Sequence, residues 1–142
     1  MNYYKTKVQQ ALNLEHNDCT VKAIAIACDV AYKVAHRALA NAGRPRRDGC
    51  YPRQQQAAIE ALGFEIEYIH FSAKTVKALA SDPVVAKGHY MAWVRGHVLA
   101  VKNGKVEDWS EDRKFRVQSV GVVRPAASRK ARAEMQRAVF QG

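Results

Sequence analysis

The stretch Gly96-His97-Val98-Leu99-Ala100-Val101-Lys102-Asn103-Gly104-Lys105-Val106-Glu107-Asp108 decides how this chain folds. A largely apolar run leads to Asn103-Gly104, a pair whose backbone tolerates the positive φ angles of a two-residue hairpin turn. With that turn in place, Lys102 pairs with Lys105, Leu99 with Asp108 and His97 with Ser110. Opposed residues share a sheet face, and alternate residues along a strand return to it. His97 and Asp108 are therefore expected on one face of adjacent strands, as diagonal neighbours close enough for a carboxylate to reach an imidazole nitrogen. Glu107 falls on the opposite face by the same parity.

Strand character extends to both sides of the hairpin. Val84-Val85-Ala86 leads into Tyr90-Met91-Ala92-Trp93-Val94, and Phe115 to Val123 follows, so the pattern predicts a meander of antiparallel strands. Met91 and Trp93 are read as core. An earlier strand is expected from Phe64 to Phe71, where Phe64, Ile66 and Tyr68 alternate with Glu65 and Glu67. The first half of the chain has helical spacing instead. Asp18 stands where it can cap a helix carrying Val21, Ile24, Ala25 and Cys28, and Asp29 ends it. A second helix runs from about Tyr32 to Asn41 and stops at Gly43, followed by the polar loop Arg44-Pro45-Arg46-Arg47-Asp48-Gly49. Pro52 opens a third helix that reaches Leu62 and ends at Gly63. A short helix is expected from Lys74 to Ala80, and a basic one from Ser128 to Phe140. Helices followed by strands define an α+β fold, its N-terminal helical half packed on a C-terminal antiparallel sheet. One domain is expected over residues 1–127, with 128–142 as a basic C-terminal helix or tail.

Composition narrows the functional classes. The 142 residues are 48% hydrophobic and 25% charged, which excludes a disordered or collagen-like chain. The longest apolar run, Ala23 to Cys28, is far shorter than the roughly 20 residues of a membrane helix. Met1-Asn2-Tyr3-Tyr4-Lys5 has no signal-peptide pattern, so a cytoplasmic location is expected. Lys and Arg number 23 against 13 Asp and Glu, a net charge of +10 that draws a small domain toward polyanions. The charge gathers at Lys33, Arg37, Arg44, Arg46, Arg47 and Arg53, and again at Arg124, Arg129, Lys130, Arg132 and Arg137. The cysteines, Cys19, Cys28 and Cys50, are odd in number and form no CxxC pair, which argues against a disulfide framework or zinc ribbon. Nothing in the spacing favours a mixed site of Cys19, Cys50 and a His, and neither metal nor cofactor is expected.

Cys19 stands at the opening of the first core helix, where unpaired N–H groups and the helix dipole favour thiolate over thiol. A nucleophilic cysteine needs a base and a group to orient that base, and His97 with Asp108 supplies both from the hairpin. Trp109, beside Asp108, is placed to shield the pair from water. His16, His36, His70 and His89 are read as structural or exposed.

The segments Asn17-Asp18-Cys19-Thr20-Val21-Lys22-Ala23 and Gly43-Arg44, with Gly96-His97-Val98-Leu99-Ala100-Val101, Asn103-Gly104 and Asp108, resemble the papain-like cysteine peptidases. The resemblance is nearest to small microbial and phage-encoded members, and more distantly to bacteriocin-leader peptidases. It implies a papain-like fold, with Cys19 as nucleophile, His97 as general base and then acid, and Asp108 as the orienting carboxylate. Where members carry a Gln ahead of the cysteine to hold the oxyanion, this chain has Asn13, while Asn17 lies closer; either amide can take the role. Cleavage of a peptide, isopeptide or related amide bond in a protein or peptide substrate is then expected, in the host cytoplasm for a phage-encoded member. The alternative is a catalytically inactive module on the same fold, or a phage-type effector, contacting nucleic acid or an acidic protein through its basic surface.

Overall fold

The computed structural model describes residues 3–10, 18–44 and 52–126. Asn13, Asn17 and Cys50, most of the loop after Arg44, and the helix expected from Ser128 lie outside the described residues. The chain begins with a helix that the periodicity did not announce, α1 (Tyr3–Gln10), followed by α2 (Cys19–Ala27), α3 (Tyr32–Asn41) and α4 (Pro52–Ala61). Strand β1 (Phe64–Ile69), the single-turn helix α5 (Val76–Leu79) and a 3-10 turn (Pro83–Val85) come next. Strands β2 (His89–Val94), β3 (His97–Lys102), β4 (Lys105–Glu107) and β5 (Ser119–Pro125) complete an α+β architecture.

Helix ends follow local chemistry. Asp29 adopts φ 55°, and the N–H groups of Asp29 and Val30 return to the carbonyls of Ile26 and Ala25, closing α2 in a Schellman motif. Gly43, at φ 102°, closes α3 in the same way, with Arg44 N–H bonded to Leu39 O. At the start of α2, however, Asp18 makes no side-chain cap. Its buried carboxylate instead accepts the Tyr32 hydroxyl at 2.7 Å and pairs with the Lys22 ammonium at 2.8 Å. Two charge-assisted partners outcompete a local N–H, and in doing so they tie α2 to α3.

The five strands are ordered β1-β5-β2-β3-β4, all neighbours antiparallel. This corrects the simple meander. Only β2, β3 and β4 follow one another; β5 returns across the sheet and inserts between β1 and β2. Phe115 also precedes the strand: Arg116 makes only an isolated bridge to Thr75, and pairing resumes at Ser119. Val84 and Val85, read as a lead-in to a strand, sit in the 3-10 turn, because Asp82 accepts the Val84 N–H and nucleates that turn with Pro83. On β1 the expected alternation is partly inverted. Glu65 is buried and Tyr68 exposed, since Arg124 on β5 pairs with both Glu65 and Glu67.

Both sheet faces are covered. Helices α2, α3 and α4 pack with Met91, Val98, Ala100 and Val123 on one face. Val76, Leu79 and Val85 cover Ala92, Leu99, Val101 and Val120 on the other. Coverage on both sides explains why β3 reads as an almost unbroken apolar run. Helix α2 is enclosed in turn, with Ile24 and Ala25 at 0% exposure. A helix with so little solvent-facing surface is a central element, and its first residue is held against the start of β3.

Candidate active site

The hairpin forms with the expected turn. Asn103 and Gly104 take φ 51° and 81°, and Lys102 faces Lys105. The ladder ends sooner than the register predicts, at Ala100 opposite Glu107, so Leu99–Asp108 and His97–Ser110 are not ladder pairs. The cause is local. Asp108 Oδ2 accepts the Ser110 N–H at 3.0 Å and the Ser110 hydroxyl at 2.5 Å, and this turn bends the chain out of the strand. The same oxygen meets His97 Nε2 at 2.7 Å. Both side chains are shielded, His97 at 12% and Asp108 at 6% exposure. With Nε2 engaged, Nδ1 is the ring nitrogen left for a second partner.

That partner is Cys19. It lines the same cleft as His97 and Asp108, and the His97 ring, the Val98 N–H and Thr20 lie near enough to favour its thiolate. The two-residue turn Arg95-Gly96 sets His97 at the first position of β3, where the sheet ends and both faces are within reach. Gly96 answers to its φ of 71° rather than to crowding, since an added Cβ there would meet open space. The structure thus brings Cys19, His97 and Asp108 together around a polar cleft of about 170 Å³, also walled by Tyr4, Lys22 and Trp109.

Charge in the cleft is coupled. Burial alone pushes the Cys19 thiol up, but the bonds from His97 and Val98 and the His97 charge outweigh it and hold the thiol below its ordinary value. Burial disfavours the His97 cation, yet the Asp108 and Cys19 hydrogen bonds and charges overcome this and raise it to about 9. Thiolate and imidazolium are therefore mutually stabilised. Cys28 is the contrast: buried without such partners, its thiol is pushed up to about 12.

Several groups at the site were not singled out from the sequence. Tyr4, on the unforeseen helix α1, is raised to about 12 by burial and the charges of Asp108, Asp18 and Cys19, which keeps its phenol protonated. Ser110 orients Asp108, and the only sequence signal for it was its place opposite His97 in the extended register. Tyr32, the first residue of α3, steadies Asp18 across the length of α2. Trp109 lies 5.0 Å from the His97 ring, centroid to centroid, and Phe115 meets Trp109 edge-on at 5.8 Å. Trp93 lies at the α2 face of the sheet, donating its indole N–H to Gln55 at 2.9 Å. His89 opens β2, its Nδ1 2.8 Å from Ala27 O, and His36 stacks obliquely on Tyr32. Among the described residues, no three His, Cys, Asp or Glu side chains are grouped to hold a metal ion. Nor is any described helix long and apolar enough to cross a membrane. Comparison with family models, curated proteins and solved structures found no match.

Proposed function

We propose that this chain is a cysteine hydrolase of papain-like type, cleaving an amide bond of a peptide, isopeptide or related substrate. The observation that carries the reading is one cleft that gathers Cys19, at a helix start, with His97 and the Asp108 carboxylate bonded to its ring. Cys19 thiolate attacks the acyl carbon, forming the C–S bond while the carbonyl oxygen takes up negative charge. The Cys19 N–H, at the first position of α2 and so without a partner inside the helix, is suited to receive that charge, with the Asn13 or Asn17 amide as second donor. His97 delivers its proton to the departing amine as the C–N bond breaks, then takes one from the water that attacks the acyl carbon; the C–S bond breaks, releasing the carboxylic acid and restoring the Cys19 thiolate. Asp108, clamped by Ser110, keeps the ring turned toward the sulfur.

Alkylation tests this directly. Iodoacetamide near neutral pH is expected to modify Cys19 well ahead of Cys28, with the labelled residue read by peptide mass mapping. His97→Ala should slow the Cys19 reaction by at least about tenfold. Equal labelling of the cysteines, or an unchanged rate in His97→Ala, overturns the proposal.

A further inference from the structure

A second cavity, about 470 Å³, shares Gly96, His97 and Trp109 with the cleft but is not lined by Cys19. Its size falls in the range of about 300–1,000 Å³ usual for ligand pockets. Val94, Trp109 and Phe115 form its apolar walls, and Arg95, Arg116 and Gln118 its polar rim. Trp109 and Phe115 are 51% and 42% exposed, an unusual placement for two aromatic side chains in edge contact. Among the described residues, neither Arg95 nor Arg116 has a carboxylate at ion-pair distance, although Glu111 and Asp112 lie close by in the chain. Among the described residues, no acidic side chain lines this cavity.

We infer that this cavity is a substrate subsite for a peptide segment carrying a large apolar side chain next to a carboxylate. The inference rests on the hydrolase reading, because it takes the bond broken at Cys19 and His97 to belong to the chain that continues into the cavity. The apolar side chain displaces water from Val94, Trp109 and Phe115, and the neighbouring carboxylate is received by the arginine rim. Charge also selects the occupant. Residues 127–142 carry Arg129, Lys130, Arg132 and Arg137 against a single acid, Glu134, and a second copy brings a net charge of +10. Both are repelled by a rim of unpaired arginines.

Binding of blocked tetrapeptides to the Cys19→Ala protein, with Phe-Asp, Phe-Lys or Ala-Asp at their centre, tests this without turnover. Phe-Asp is expected to bind at least about tenfold more tightly than either relative. The double variant Arg95→Glu, Arg116→Glu should reverse the order of Phe-Asp and Phe-Lys, and Phe115→Ala should shrink the gap between Phe-Asp and Ala-Asp. All three positions are exposed, so these variants leave the core intact. Equal binding of the three peptides, preferences untouched by the substitutions, or displacement of Phe-Asp by a single-stranded oligonucleotide at lower concentration would each overturn the inference. Turnover by the unaltered chain separates the two readings. Cleavage without sequence preference removes the subsite and leaves the hydrolase, whereas selective binding without any cleavage removes the hydrolase and leaves the pocket.

Discussion

At the residue scale, the site depends on how one imidazole is shared. His97 gives Nε2 to Asp108 and shares its cleft with Cys19, so its proton is stabilised by a carboxylate and a thiolate together. This has consequences for pH that differ between two measurements. Lowering the pH protonates the thiolate, so both alkylation and turnover should fall on the acid side, at a pH below the ordinary thiol value of about 8.5. Raising the pH removes the His97 proton at about 9. Turnover should then decline, because no acid remains for the leaving amine, while alkylation persists, because the sulfur stays ionised. Asp108→Asn removes the acceptor that raises His97, and the alkaline limb of kcat/KM should move to lower pH. A limb that stays in place would assign its titration to another group. His97 and Asp108 were legible as a pair because parity and a two-residue turn are short-range rules. The Ser110 clamp was not, because it arises where the strand breaks its own register.

At the scale of elements, the placement of Cys19 is a matter of how α2 is held. The Asp18 carboxylate, 1% exposed, anchors the helix start through the Tyr32 hydroxyl and Lys22 rather than through a cap. Tyr32→Phe keeps the packing but removes a hydrogen bond to a buried charge, and should cost about 1.5–3 kcal/mol of stability in urea denaturation. Lys22 remains as a partner for Asp18, so a loss near the lower end is expected. The C-terminal ends of α3 and α4 were readable, because Gly43 and Gly63 take up, without a Cβ clash, the positive φ that closes a helix. Helix α1 was not readable: Tyr3–Gln10 has only a weak apolar stripe and owes its place to contacts such as Lys102 over the Tyr3 ring, 3.7 Å from its centroid.

For the whole molecule, the surface charge operates alongside the cleft. A net charge of +10 should produce weak binding to nucleic acid that falls steeply between about 50 mM and about 200 mM salt. Because that attraction is diffuse, it should be unchanged in Cys19→Ala; fluorescence anisotropy with a labelled oligonucleotide reads both effects. Tight, salt-resistant and sequence-selective binding would instead favour the nucleic-acid module over the hydrolase. The small polar cleft containing Cys19 and the larger apolar cavity beyond it meet at His97. The two cavities are therefore contiguous at shared side chains, whatever the long-range field collects.

By itself the sequence determined the succession of α2, α3, α4 and β1, the hairpin turn at Asn103-Gly104, and the nearness of His97 to Asp108 across that hairpin. These follow from interactions between residues a few positions apart, where backbone geometry leaves few choices. The tertiary structure alone decided that β5 inserts between β1 and β2, that Cys19 meets His97, and that Tyr4 and Lys22 line the same cleft. Those contacts join segments far apart in the chain, and burial of both sheet faces is what brings them together; the apolar run of β3 announces that burial but not which elements supply it.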